Sequence, residues 1–92
     1  MHSHHHSEEE KKAVLNRISR AIGHLESVKR MIECDRDCSE VLIQLAAVKS
    51  AIHNTGKVIL KEHMNHCIIH AVKEGDQQAI EDLNNAIDKF MK

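Results

Sequence analysis

Apolar residues recur along this chain at spacings of three and four, with little to interrupt them. Ile18, Ile22, Leu25, Val28 and Ile32 form one series. Val41, Leu45, Val48, Ile52, Thr55 and Ile59 form a second, close to a heptad, and Ile80, Leu83, Ile87 and Phe90 form a third. A period near 3.6 residues gathers each series onto one helix face, whereas a strand of period two would scatter it over both faces. Pro is absent, Gly occurs three times, and Phe90 is the only aromatic residue, so strand formers and helix breakers are both scarce. The sequence therefore predicts an all-α fold of three helices, the second suited to packing against another helix.

Local chemistry marks the ends. Ser7 followed by Glu8, Glu9 and Glu10 reads as an N-cap with carboxylates at the positive end of the first helix. Asp35, Arg36 and Asp37 break the first series, and Asp37 with Glu40 three residues on caps the second helix. That helix is expected to run over residues 38–73 or 74, stopped by Gly75. Gly56 inside it costs about 1 kcal/mol against Ala, which points to a close contact there. Asp76 caps the third helix, and the short connections make successive helices antiparallel neighbours. The chain of 92 residues has room for one domain, residues 8–92, after a His-rich tail over residues 1–7 that is native or a tag remnant. So short a chain buries little core alone, which favours association.

Composition narrows the function. Formal net charge is −1, so a DNA-binding surface has to come from local clusters of Lys and Arg. With no Trp or Tyr and one Phe, the chain lacks rings on which single-stranded bases would stack. The apolar runs are too short to span a bilayer and no signal-type segment follows the N-terminus, so a cytoplasmic protein is expected. In that compartment three Cys read as reduced ligands or sensors rather than disulfide partners. No oxyanion-hole loop or residue to orient a Cys-His pair is visible, so no enzymatic activity is expected.

His63 and Cys67 lie four residues apart, on one helix face and within chelating reach. Cys38 lies 25 residues before His63, roughly 37 Å along a continuous helix. It cannot share a site with them within one chain. Two such helices packed antiparallel, crossing near Ala51 and Ile52, would bring Cys38 of one chain to His63 and Cys67 of the other, giving two intersubunit sites per dimer. Two thiolates and an imidazole form a soft donor set suited to three-coordinate Cu(I), whereas Zn(II) usually takes a fourth ligand. The spacing alone is equally compatible with a buried Cys and surface His that bind no metal.

The stretches LNRISRAIGHL, RMIECDRDC, QLAAVKSAI and HMNHC resemble the copper-sensing operon repressor (CsoR) family, which includes nickel/cobalt-, formaldehyde- and persulfide-sensing relatives. The likeness runs from about Ala13 to Ile87, and the family's Cys-His-Cys set falls on Cys38, His63 and Cys67. What the resemblance implies is a disc-like tetramer of antiparallel helical dimers that represses efflux or detoxification genes and leaves operator DNA on binding metal. The copper branch often has Tyr where this chain has Asp37, and its acidic residue next to the ligands falls at Glu81 or Asp82. Nickel and cobalt relatives add a ligand near the N-terminus, where His6 stands, but end their set with His where this chain has Cys67. The persulfide sensors lack the His, against which His63 argues.

Cu(I) is thus the expected metal, with Ni(II), Co(II) and Zn(II) as alternatives. A metal-storage or carrier bundle that never touches DNA is the reading from another class. His66 and His70 extend the ligand face as auxiliary candidates, or are simply polar surface residues. Cys34 reads as a second thiol or a plain half-buried Cys. His24 reads as a phosphate or switch contact or as packing, His53 as a polar helix residue, and Met31, Met64 and Met91 as core filler. Arg17, Arg20, Lys29, Arg30, Lys49 and Lys57 are the candidates for phosphate contacts to double-stranded DNA, against the ordinary reading of a solvated helix surface. The family often has Arg where this chain has Asn54, which leaves Lys57 to compensate.

Overall fold

The computed structural model describes residues 8–92, leaving out the side chains at positions 63, 64, 65 and 67. The Ser7 cap, the His-rich tail and His6 lie outside the described residues. Helix α1 spans Glu8–Glu33, α2 spans Cys38–Ile59, a π-helical segment spans Leu60–Met64, α3 spans Asn65–Glu74 and α4 spans Gln77–Met91. The described residues are all helix and turn.

The α1–α2 turn follows its residues. Asp35 takes a φ of 56° and the Arg36 N–H returns to the Met31 carbonyl at 2.9 Å, which closes α1. Asp37 then accepts from the Ser39 backbone N–H at 3.2 Å and from the Ser39 hydroxyl, capping α2. Arg36 donates to Glu40 at 2.7 Å across the same turn. Gly75, at φ 67°, and Asp76, which accepts from Ala79 N–H at 3.0 Å, make the α3–α4 turn in the same manner.

Helices α1 and α2 form an antiparallel hairpin along a seam with a seven-residue step. Val14, Ala21 and Val28 are buried on α1, and Val48 and Thr55 on α2. The Thr55 hydroxyl donates to the Ala51 carbonyl at 2.8 Å, so its burial leaves no unpaired oxygen. Outside the seam, much of the apolar surface stays open. Ile22 is 55% exposed, Ile52 49% and Leu42 64%, and Ile18, Leu25, Ile32 and Leu45 are exposed too. A radius of gyration of 17.2 Å, against about 12 Å for a compact chain of this length, reflects the same elongation.

The three-helix expectation takes residues 38–74 as one regular helix, but the structure interrupts it with the π-helical segment and so has four α-helices among the described residues. The ladder loosens one turn after Gly56, the weakest helix former in α2. There the Leu60 N–H reaches both the Gly56 and Lys57 carbonyls. The contact foreseen at Gly56 is present. The Phe90 ring of α4 lies where a Cβ on Gly56 would stand, and it stacks on His53 with centroids 5.6 Å apart. His53 is therefore more than a polar surface residue.

Candidate metal centre

Cys38 is the first residue of α2, placed there by the Asp37 cap, and is exposed. A thiolate ligand at that position meets the positive end of the helix. Asp37 stands beside Cys38 in sequence, but its carboxylate is engaged with Ser39. The Ser39 hydroxyl first, and its backbone N–H second, hold Asp37 below the usual carboxylate range. Cys34 closes α1 and is exposed, not half-buried. Met31 is half-buried and Met91 is exposed, so the latter is not core filler.

His63 lies within the π-helical segment and Cys67 on the first turn of α3. The backbone departs from regular α-helix where His63 sits, a placement common at functional sites, and returns to it before Cys67. Twenty-two helical residues separate the start of α2 from the π-helical segment, about 33 Å of rise. Within one chain, the structure does not bring Cys38 to His63 and Cys67. Among the described residues no three His, Cys, Asp or Glu side chains are grouped as a metal site.

Beyond Cys67, α3 carries His66 and His70, both exposed. His70 lines a cavity of about 600 Å³ between α3 and α4 together with Glu74, Asp76 and Asp82. Of the two acidic candidates on the last helix, Asp82 reaches this cavity, and Gln78 donates to it at 3.0 Å. Glu81 is exposed and does not line it.

The basic candidates group unevenly. Arg17 and Arg20 line a cleft of about 240 Å³ between α1 and α2 with His24, Asn54 and Thr55. The His24 Nε2 and the Gln44 Oε1 are 2.8 Å apart, a hydrogen bond across the hairpin that sequence reading missed. Lys29, Arg30, Lys49 and Lys57 are exposed and lie outside the cleft, so only two of the six candidate cations share it.

The family model described as a metal-sensitive transcriptional repressor matches residues 10–89. The chain belongs to that family. It is similar to the copper-sensing transcriptional repressor CsoR of Bacillus subtilis, with 38% identity over 96% of this chain and 88% of the relative. CsoR of Mycobacterium ulcerans is 39% identical over 90% of this chain and 72% of the relative. Among solved structures, the copper-sensing repressor CsoR with Cu(I) from Geobacillus thermodenitrificans superposes with a TM-score of 0.85. It is 31% identical and covers 96% of this chain and 93% of its own. The nickel-responsive transcriptional regulator InrS superposes with a TM-score of 0.72 at 44% identity, covering 95% and 99%. As a member of this family the chain is a transcriptional repressor, a role that involves no catalysis. No helix among its described residues is long and apolar enough to cross a membrane.

Proposed function

We propose that this repressor responds to Cu(I), held between two protomers by Cys38 of one chain and His63 and Cys67 of the other. The observation that carries this is a soft donor set split between the two ends of a helix too long to close on itself. Two thiolates and one imidazole fit a three-coordinate Cu(I) ion, and the ion would supply the link that joins the two chains at each end. The exposed apolar face through Leu25, Leu45 and Ile52 supports a dimer with its α2 helices antiparallel, and further exposed surface supports a tetramer of such dimers. The 38% identity to a copper-sensing repressor and the likeness to one solved with Cu(I) support the metal.

In the cytoplasm the metal-free oligomer holds operator DNA of metal-efflux genes through Arg17 and Arg20, with Lys29, Arg30, Lys49 and Lys57 at the margin. Metal and DNA favour different conformations, so each weakens binding of the other by the same coupling free energy. A coupling of about 1–3 kcal/mol changes DNA affinity about 5- to 150-fold. The π-helical segment, which contains His63, is the element whose backbone would tighten on ligation.

A second reading is favoured by the 44% identity to a nickel-responsive regulator. In it, Ni(II), Co(II) or Zn(II) is sensed with help from His6. Anaerobic titration of the DNA complex with each metal tests both. Release by Cu(I) and not by Ni(II) supports the copper reading, release by Ni(II) alone the other. Metal binding with no DNA affinity at any efflux promoter would leave a metal-storage bundle.

A further inference from the structure

Arg17, Arg20 and His24 follow one another on α1 at steps of three and four residues, so they share one face of that helix. All three line the cleft of about 240 Å³ between α1 and α2, and no carboxylate stands with them among the described residues that line it. In a chain with 14 Asp and Glu against 13 Lys and Arg, that is a local excess of positive charge. His24 is half-buried and tied across the hairpin, its Nε2 donating to the Gln44 Oε1 at 2.8 Å. An amide oxygen only accepts, so Nε2 carries the hydrogen and Nδ1 is the nitrogen that takes up a proton. The bond to Gln44 therefore holds in both charge states and keeps the ring at the cleft. From α2 the cleft receives Ala51, Asn54 and Thr55, none of which titrates, and the Thr55 hydroxyl is engaged with the Ala51 carbonyl. Glu40, one turn before Gln44, is held by Arg36 at 2.7 Å. On α1 itself, Arg20, Ala21, Ser27 and Val28 stand one turn to either side of His24.

We propose that His24 is a third phosphate contact in this cleft, and that its protonation makes operator binding tighten as pH falls. The inference rests on the reading that Arg17 and Arg20 hold operator DNA, and it adds a proton to what that site senses. A phosphate seated beside the two guanidinium groups favours the charged imidazole over the neutral one, so proton and phosphate bind together. The sign follows from linkage: the DNA-bound form takes up protons, so affinity rises as pH falls. Histidine changes charge between about pH 5 and pH 8, which sets the window. Each engaged copy neutralises one more phosphate when protonated, so the salt dependence steepens by up to about 0.9 per copy. The gain in affinity is up to about fivefold per copy, the upper range of a solvent-exposed ion pair. None of the proposed copper ligands takes part, so the effect is present without metal.

The test uses the full chain, kept metal-free by a chelator, and a labelled duplex from a metal-efflux promoter of its own genome. Affinity is measured across a salt series at about pH 6 and about pH 8 for wild type, His24→Gln and Arg17→Ala. The other histidines are common to all three proteins and cancel. The proposal expects His24→Gln to match wild type at the higher pH and to bind more weakly, with a flatter salt slope, at the lower. Equal affinity at both pH values overturns it. So does an equal loss at both, which is what a purely structural role of the bond to Gln44 would give. Arg17→Ala separates the inference from the reading beneath it. Weaker binding by Arg17→Ala, with His24→Gln as pH-dependent as wild type, overturns the role of His24 alone. No loss in Arg17→Ala overturns both. A measurement on the unsubstituted chain guards against a folding defect. The pH midpoint of the His24 ring resonance should rise when the duplex is added, and an unmoved midpoint would equally overturn the proposal.

Discussion

Gly56→Ala is expected to destabilise this protein, although the same substitution in an exposed helix interior normally stabilises. Removing glycine from the last turn of α2, where the chain continues helical, gains up to about 1 kcal/mol of helix preference. Against this, the new Cβ falls on the Phe90 ring, which must leave. Phe90 is 39% exposed, so about three fifths of its surface is covered. For a side chain that buries on the order of 200 Å² when enclosed, that is about 120 Å² of apolar contact, or about 3 kcal/mol as an upper bound. The loss exceeds the gain, and a net destabilisation of about 1–2 kcal/mol follows. The sign reverses once the ring is gone: in a Phe90→Ala background, Gly56→Ala should stabilise by about 1 kcal/mol. Urea denaturation of the four proteins, at one fixed protomer concentration because association contributes to stability, measures the cycle. Additive effects, or stabilisation by Gly56→Ala in the wild-type background, would refute the packing of α4 against α2.

Cys34→Ala should leave Cu(I) affinity within a few-fold, whereas Cys38→Ala should abolish tight binding, as read by competition with a Cu(I) chelator. Arg17→Ala should weaken operator binding and flatten its salt dependence by a slope of about one for each phosphate no longer neutralised, with metal affinity unchanged. Unchanged binding across a salt series would remove α1 from the DNA interface. Asp37 gives a pH test. Its carboxyl is held below its ordinary value of 3.8 by Ser39, so the α2 cap contributes fully above that pH and is lost as the pH falls through the lowered value. The difference in melting temperature between wild type and Asp37→Ala should therefore shrink as pH falls below 4, and a constant difference would show that the charge plays no part.

The helix ends were legible because the signals are local. Asp37, Asp76 and Gly75 act through neighbours two to three residues away, and each does in the structure what its position implied. The π-helical segment was not legible, since Leu60–Met64 carries no breaker. The apolar series misled in a specific way. Of the series Ile18, Ile22, Leu25, Val28 and Ile32, Val28 is buried as expected, but the other four stay exposed and α1 buries Val14 and Ala21 beside Val28 instead. Periodicity reports every face that avoids water, including those a single chain leaves open. For the candidate metal centre, the four-residue step from His63 to Cys67 was readable and the distance to Cys38 followed from helix rise. On the proposed reading, what completes the set lies beyond one chain. The choice between Glu81 and Asp82 turned on a one-residue ambiguity; the structure places Asp82 at the α3–α4 cavity and Glu81 outside it.

The claim that each metal is shared between chains is tested most directly by mixing two variants that are each incapable of binding. Chains carrying Cys38→Ala keep His63 and Cys67, and chains carrying His63→Ala with Cys67→Ala keep Cys38. Unfolded together, refolded and separated by a charge tag, the mixed dimers should bind Cu(I) tightly at one site of their two, while either variant alone binds none. Mixed dimers without tight Cu(I) binding, or tight binding at full stoichiometry by a monomer in sedimentation, would contradict the intersubunit centre.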